Sequence, residues 1–126
     1  MARILIVDDG SAVRAFAAQQ LERDGHRLAH APDAREAVAQ LRASSFDLVL
    51  LDAAVPGIDG VSFARMLAES PRLLGLATLP VVMMTSSDQA GLMADSFEAG
   101  AAYVLTKPYT PRELSDVVRL VLAGSA

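Results

Sequence analysis

The chain has 126 residues, a net charge of −4 and no cysteine, which excludes disulfides and thiolate metal sites and leaves no basic footprint for nucleic acid. Its 52% hydrophobic content is enough for the core of one domain, so residues 1–126 read as a single unit. Mean hydropathy is high at +0.34, yet the longest apolar runs are about five residues against the roughly 18 to 20 of a membrane span.

A start of Met-Ala-Arg followed at once by a strand leaves no room for a signal peptide, so a cytoplasmic protein without a membrane partner is expected. The first strand is Ile4-Leu5-Ile6-Val7, running into Asp8-Asp9. A helix follows from Ser11 to Asp24, with apolar residues at Val13, Phe16, Ala17 and Leu21, and stops at Gly25. Leu28 to Ala31 reads as a weaker edge strand. Asp33 then caps a helix through Arg42, with Glu36 three residues on.

The third strand is Leu48-Val49-Leu50-Leu51, ending at Asp52. Asp59 to Glu69 is helical and ends before Pro71. Pro71 to Thr78 is unusually apolar for a connection and is expected to pack on the domain. Val81-Val82-Met83-Met84 forms the fourth strand and runs into Thr85-Ser86. A helix over Asp88 to Ala99 is closed by Gly100. Tyr103-Val104-Leu105 leads into Thr106-Lys107-Pro108. Thr110-Pro111-Arg112-Glu113 opens the last helix with a cap, a proline at the first position and a box glutamate. That helix runs to Leu122 and stops at Gly124.

Five strand–helix pairs in succession, with apolar strands bounded by polar residues, predict a parallel sheet covered by helices on both faces. In such a sheet, chemistry sits at the carboxyl ends of the strands. Asp8, Asp9, Asp52, Thr85 and Lys107 should therefore converge at one edge. Lys107 is the single lysine beside ten arginines, which are scattered as solvated surface charge. Carboxylates gathered at a wet edge favour a hard divalent cation, and oxygen ligands with open positions suit Mg²⁺. Asp52 can form an acyl phosphate, with Lys107 and Thr85 binding phosphoryl oxygens. His26 and His30 read as surface residues. Met66, Met83, Met84 and Met93 read as core or helix-face filler.

These residues carry a specific resemblance. Asp8-Asp9, Asp52 followed by Val55-Pro56-Gly57-Ile58-Asp59-Gly60, Thr85-Ser86, and Gly100 seven residues before Lys107-Pro108-Tyr109 resemble the receiver domain of two-component response regulators, of the single-domain chemotaxis type. The resemblance covers essentially the whole chain. It implies a flavodoxin-like α/β sandwich with strand order 2-1-3-4-5 and five helices.

It further implies that Asp52 takes a phosphoryl group from a sensor histidine kinase or a histidine phosphotransfer protein. Asp9 would ligate Mg²⁺ directly, Asp8 largely through water, with Asp52 and the Ala54 carbonyl completing the set. Lys107 and Thr85 would bind the phosphoryl group, and the surface of Thr85, the fourth helix and the fifth strand would engage a downstream protein. Such a domain is a monomer or weak dimer and no enzyme beyond its own phosphorylation and dephosphorylation.

Two departures stand out: Ala54 and Ser87 occupy the positions that face the phosphoryl group. The family's switch aromatic is Val104 here, with Tyr103 one residue earlier and, by strand alternation, on the other face. Three other readings stay open. A nucleotide or flavin binder needs phosphate-cradling amides where Asp8-Asp9 stand. An aspartyl phosphatase usually places a general acid where Ala54 stands. A receiver that acts unphosphorylated, or as a phosphate sink, would work through constitutive protein contacts.

Overall fold

The computed structural model describes residues 2–8, 10–54, 59–69, 79–86 and 91–124. Five strands alternate with five helices: β1 (Arg3–Val7), α1 (Ser11–Arg23), β2 (Arg27–Ala31), α2 (Ala34–Ala43), β3 (Leu48–Asp52), α3 (Gly60–Glu69), β4 (Val81–Ser86), α4 (Leu92–Glu98), β5 (Tyr103–Lys107) and α5 (Pro111–Gly124). All pairings are parallel, and the sheet order is β2-β1-β3-β4-β5.

Strand alternation divides the core in two. Leu5, Val7, Val49, Leu51, Val81, Met83 and Val104 pack under α2 and α3. Ile4, Ile6, Leu48, Leu50, Val82, Met84 and Leu105 pack under α1 and α5, against Ala17, Leu21, Leu114, Val117, Val118 and Val121. The interior strands are buried on both faces, which is why they read as unbroken apolar runs.

The expected caps form. The Asp33 carboxylate accepts the Glu36 N–H at 2.8 Å at the start of α2. At α5 the box closes both ways: Thr110 Oγ1 accepts the Glu113 N–H at 3.1 Å, and Glu113 Oε1 accepts the Thr110 N–H at 3.0 Å. Across the α1/α5 seam, the Gln20 amide donates to Ser115 Oγ, whose hydroxyl donates to Asp24.

Four expectations need correction. The fourth helix begins at Leu92, because Gly91 sits at φ 80°, a left-handed conformation that breaks the helical path; residues 88–90 lie outside the described residues. Met93, on that helix, is exposed. So is much of Phe16, at 40%, because it leaves the α1 core stripe and sets its ring 5.9 Å from that of Tyr109. His26 is no free surface residue: its Nδ1 accepts the Ala2 N–H at 3.1 Å and ties the start of β1 to the α1–β2 turn. Met83 and Met84 are fully buried as expected. The Pro71 to Thr78 segment lies outside the described residues.

Gly60 lets the first turn of α3 lie on the strand end behind Asp52. A Cβ there would stand 2.6 Å from the Ala53 backbone, whose carbonyl accepts the Gly60 N–H at 3.3 Å. Backbone cannot swing aside as a flexible side chain can. Gly60→Ala is expected to cost about 1–3 kcal/mol in urea denaturation, the usual magnitude of overpacking; an unchanged midpoint would refute the close approach.

His26 gives a pH signature. Burial lowers its pKa from 6.5, so the folded state favours neutral imidazole. Its contribution is complete above the unfolded value and is lost as pH falls below about 6.5. His26→Gln keeps an acceptor and does not titrate. The stability of wild type minus His26→Gln is expected to fall as pH drops from 7 to 5; a flat difference would refute the role.

Candidate functional site

The ends of β1, β3, β4 and β5 meet at one edge of the sheet. Val7 pairs with Leu51 and Asp52 with Met84, so Asp8, one step beyond Val7, stands level with Asp52 and Met84 across three neighbouring strands. The Asp8 N–H continues the ladder by donating to the Ala31 carbonyl at 3.0 Å. Alternation puts Asp8, Asp52 and Lys107 on the α1/α5 side, in phase with Ile6, Leu50 and Leu105.

The two carboxylates are closely held. Asp52 is 8% exposed; its Oδ1 accepts the Ala54 N–H at 2.9 Å and its Oδ2 accepts from Lys107 Nζ, also at 2.9 Å. Asp8 is 1% exposed, and its Oδ1 accepts the Gly10 N–H. Its Oδ2 is buried with no hydrogen-bond partner. Burial pushes the Asp8 carboxyl above the ordinary carboxylate range. The Gly10 N–H opposes that shift and the negative Asp52 beside it adds to it.

The expected residues are thus partly assembled. Asp8, Asp52 and Lys107 come together, and Ala54 follows Asp52 in the same turn. Asp9, Ser87 and the Val55-Pro56-Gly57-Ile58 segment lie outside the described residues. Among the described residues no group of three His, Asp or Glu side chains is gathered as a metal site. The two carboxylates that are described nevertheless fit a hard cation: both donors are oxygens, they face each other, and one oxygen has no partner. Thr85 is 5% exposed near the end of β4, in phase with Met83 on the α2/α3 side.

The fifth strand bears out the alternation. Val104 is buried with Val81 and Met83, on the Thr85 face. Tyr103 lies on the opposite side, 37% exposed. It lines an open groove of about 400 Å³ with Met93 of α4 and Glu113, Asp116 and Val117 of α5.

Sequence reasoning missed Tyr109. The Lys107–Pro108 peptide is cis, and beyond it the Tyr109 ring lies against the α1/α5 core while its hydroxyl donates to Met84 Sδ at 3.8 Å. Burial raises the phenol pKa, and the negative charges of Asp8 and Asp52 raise it further. The only signal in the sequence was a polar aromatic two residues after the lysine, and nothing there shows which way it turns.

Comparison with known proteins agrees with this arrangement. The response regulator receiver domain family matches residues 4–119. Protein PilH of Pseudomonas aeruginosa is 34% identical over 124 residues, covering 98% of this chain and 100% of PilH. Transcriptional regulatory protein ResD of Bacillus subtilis is 32% identical over 120 residues, covering 95% of this chain and 48% of ResD, so the chain spans about half the length of that relative. The chemotaxis response regulator CheY4 of Vibrio cholerae superposes with a TM-score of 0.84 at 26% identity, over 96% of this chain and 98% of CheY4. With the strand order 2-1-3-4-5 and the carboxylate edge in place, this chain belongs to the receiver-domain family of two-component response regulators.

Proposed function

We propose that Asp52 is the phosphoacceptor of a histidine-to-aspartate relay, within a single receiver unit over residues 1–126. The observation that carries the reading is the 2.9 Å contact between Lys107 Nζ and Asp52 Oδ2, in a chain with no other lysine. An Asp52 oxygen attacks the phosphorus of a partner's phosphohistidine. The N–P bond breaks, its electron pair stays on the imidazole nitrogen, and an acyl phosphate forms on Asp52. Lys107 is placed to follow the charge from the carboxylate to the phosphoryl oxygens as a mobile point charge.

From the α2/α3 side, near the carboxyl end of β4, Thr85 would reach over the sheet edge to supply a hydroxyl to the same group. Mg²⁺, when bound by Asp8, Asp9, Asp52 and the Ala54 carbonyl, offsets negative charge on the phosphoryl oxygens. Ala54 presents no side chain able to orient an attacking water. Such a domain catalyses only its own phosphorylation and dephosphorylation.

The partners are a sensor histidine kinase or histidine phosphotransfer protein upstream and a protein target downstream. The downstream surface is the face of α4, β5 and α5, where Met93, Phe97, Tyr103 and Leu120 leave apolar surface exposed. Because Tyr103 and Thr85 lie on opposite faces and Val104 is buried and stiff, the change at Thr85 leaves through α4, as a population shift between two arrangements. The aspartyl phosphatase reading lacks its general acid, and the nucleotide-binder reading lacks a phosphate cradle.

Incubation with a small phosphodonor and Mg²⁺ is expected to add one base-labile phosphoryl group to wild type and none to Asp52→Asn; an adduct that survives in the variant would overturn the assignment. Millimolar Mg²⁺ is expected to stabilise wild type by about 1–3 kcal/mol at tens to a hundred times Kd, and Asp9→Ala far less.

Asp8 provides an independent check. Its folded pKa is raised, so ionisation opposes folding near neutral pH, and that cost is relieved as pH falls toward 3.8. Asparagine keeps an oxygen for the Gly10 N–H without the charge. Asp8→Asn is expected to melt higher than wild type in EDTA at pH 7, with the gain shrinking toward pH 4. A lower melting temperature at pH 7 would mean that the charged form holds structure.

A further inference from the structure

The Tyr109 hydroxyl and the Asp8 carboxylate are two imperfectly satisfied groups at one edge. The phenol rests on Met84 Sδ at 3.8 Å, and a thioether is a weak acceptor. Met84 occupies the same row across the sheet as Asp52 and Asp8, with neighbouring strands about 4.8 Å apart. Asp52 neighbours Met84 in that row and Asp8 stands one strand further, all on the α1/α5 side against which Tyr109 packs. After burial, the charge of Asp8 does more than that of Asp52 to keep the phenol protonated. Asp8 Oδ2, meanwhile, is buried without a donor. Phe16 holds the Tyr109 ring with centroids 5.9 Å apart and planes tilted by 59°, so a turn of the O–H is a smaller motion than a movement of the ring.

We propose that Tyr109 is a positioning residue of the phosphoacceptor site: its hydroxyl leaves the Met84 sulfur and donates to the Asp8 carboxylate when that carboxylate takes up its place beside a divalent cation. The step breaks a weak O–H···S contact and forms a charge-assisted O–H···O⁻ bond, with no proton transferred. Carboxylate ligands that are themselves hydrogen-bonded keep their orientation, and loss of such a partner usually weakens metal affinity about 10- to 100-fold. Phenylalanine would keep the ring contact with Phe16 and the apolar packing but bring no donor. The inference rests on the phosphoacceptor reading of the site and adds a residue that reading does not require.

Calorimetric titration of Mg²⁺ into the whole chain and into Tyr109→Phe tests it. The Kd is expected to rise about tenfold in Tyr109→Phe. Melting temperatures in EDTA are expected to coincide, since only a weak contact to sulfur is lost. A second readout needs no variant: in protein carrying ¹³C-labelled tyrosine, the Tyr109 Cζ resonance reports the hydrogen bond of its hydroxyl. It is expected to move on Mg²⁺ addition in wild type and to stay in place in Asp8→Asn. A Kd for Tyr109→Phe within twofold of wild type, or a Cζ resonance unmoved by Mg²⁺, overturns the role of Tyr109 and leaves the phosphoacceptor reading standing. A wild type that binds no Mg²⁺ overturns both.

Discussion

The ion pair between Lys107 and Asp52 is the contact on which the site depends. Two carboxylates, Asp8 and Asp52, stand level across neighbouring strands, nearly withdrawn from water, where burial and the neighbouring Asp52 charge disfavour the ionisation of Asp8. Among the described residues the cation paired with Asp52 is Lys107, and it comes from the far end of the sheet, two strands beyond Asp52. An ammonium suits this place better than a guanidinium. It is a compact point charge on a flexible stem, able to shift from one oxygen to another, whereas the planar fork of arginine is built for fixed bidentate pairs. The chain uses arginine for every other positive side chain.

The fold exists to hold that edge still. β1 and β3 carry their carboxylates at the ends of strands buried on both faces, so neither can slide without exposing a full row of core side chains. Gly60 brings α3 onto the backbone just behind Asp52, and the Ala54 N–H fixes one oxygen of that carboxylate. The flank formed by α4 and β5 is more lightly held. β5 is an edge strand, α4 has seven residues and follows a left-handed glycine, and apolar side chains on both stand in water.

The position of the aromatic on β5 separates this chain from the usual pattern. Val104 fills the place beside Thr85 and is locked into the core, while Tyr103 turns to the groove next to α5. A mechanism that needs an aromatic to swing into space vacated by Thr85 has no residue to perform it on this face. The fourth helix, by contrast, packs on both β4 and β5. Tyr109, on the α1/α5 side, is the aromatic whose hydroxyl meets Met84, the register neighbour of Asp52.

Much of the fold was legible in the sequence because its signals are local. Apolar runs ending in Asp8, Asp52, Thr85 and Lys107 fixed four strands. Capping residues such as Asp33, Thr110 and Glu113 fixed helix starts, since each needs only a neighbour three residues away. The parallel sheet and the meeting of the acidic strand ends with the lysine followed from the alternation of strands and helices. What the sequence could not determine was the direction in which individual side chains leave those elements. That His26 binds the first strand, that Phe16 leaves the core for Tyr109, that Tyr109 sets its hydroxyl on the Met84 sulfur, and that one oxygen of Asp8 has no partner all depend on contacts between residues far apart in the chain. Such contacts are decided by packing across the sheet, which no local periodicity records.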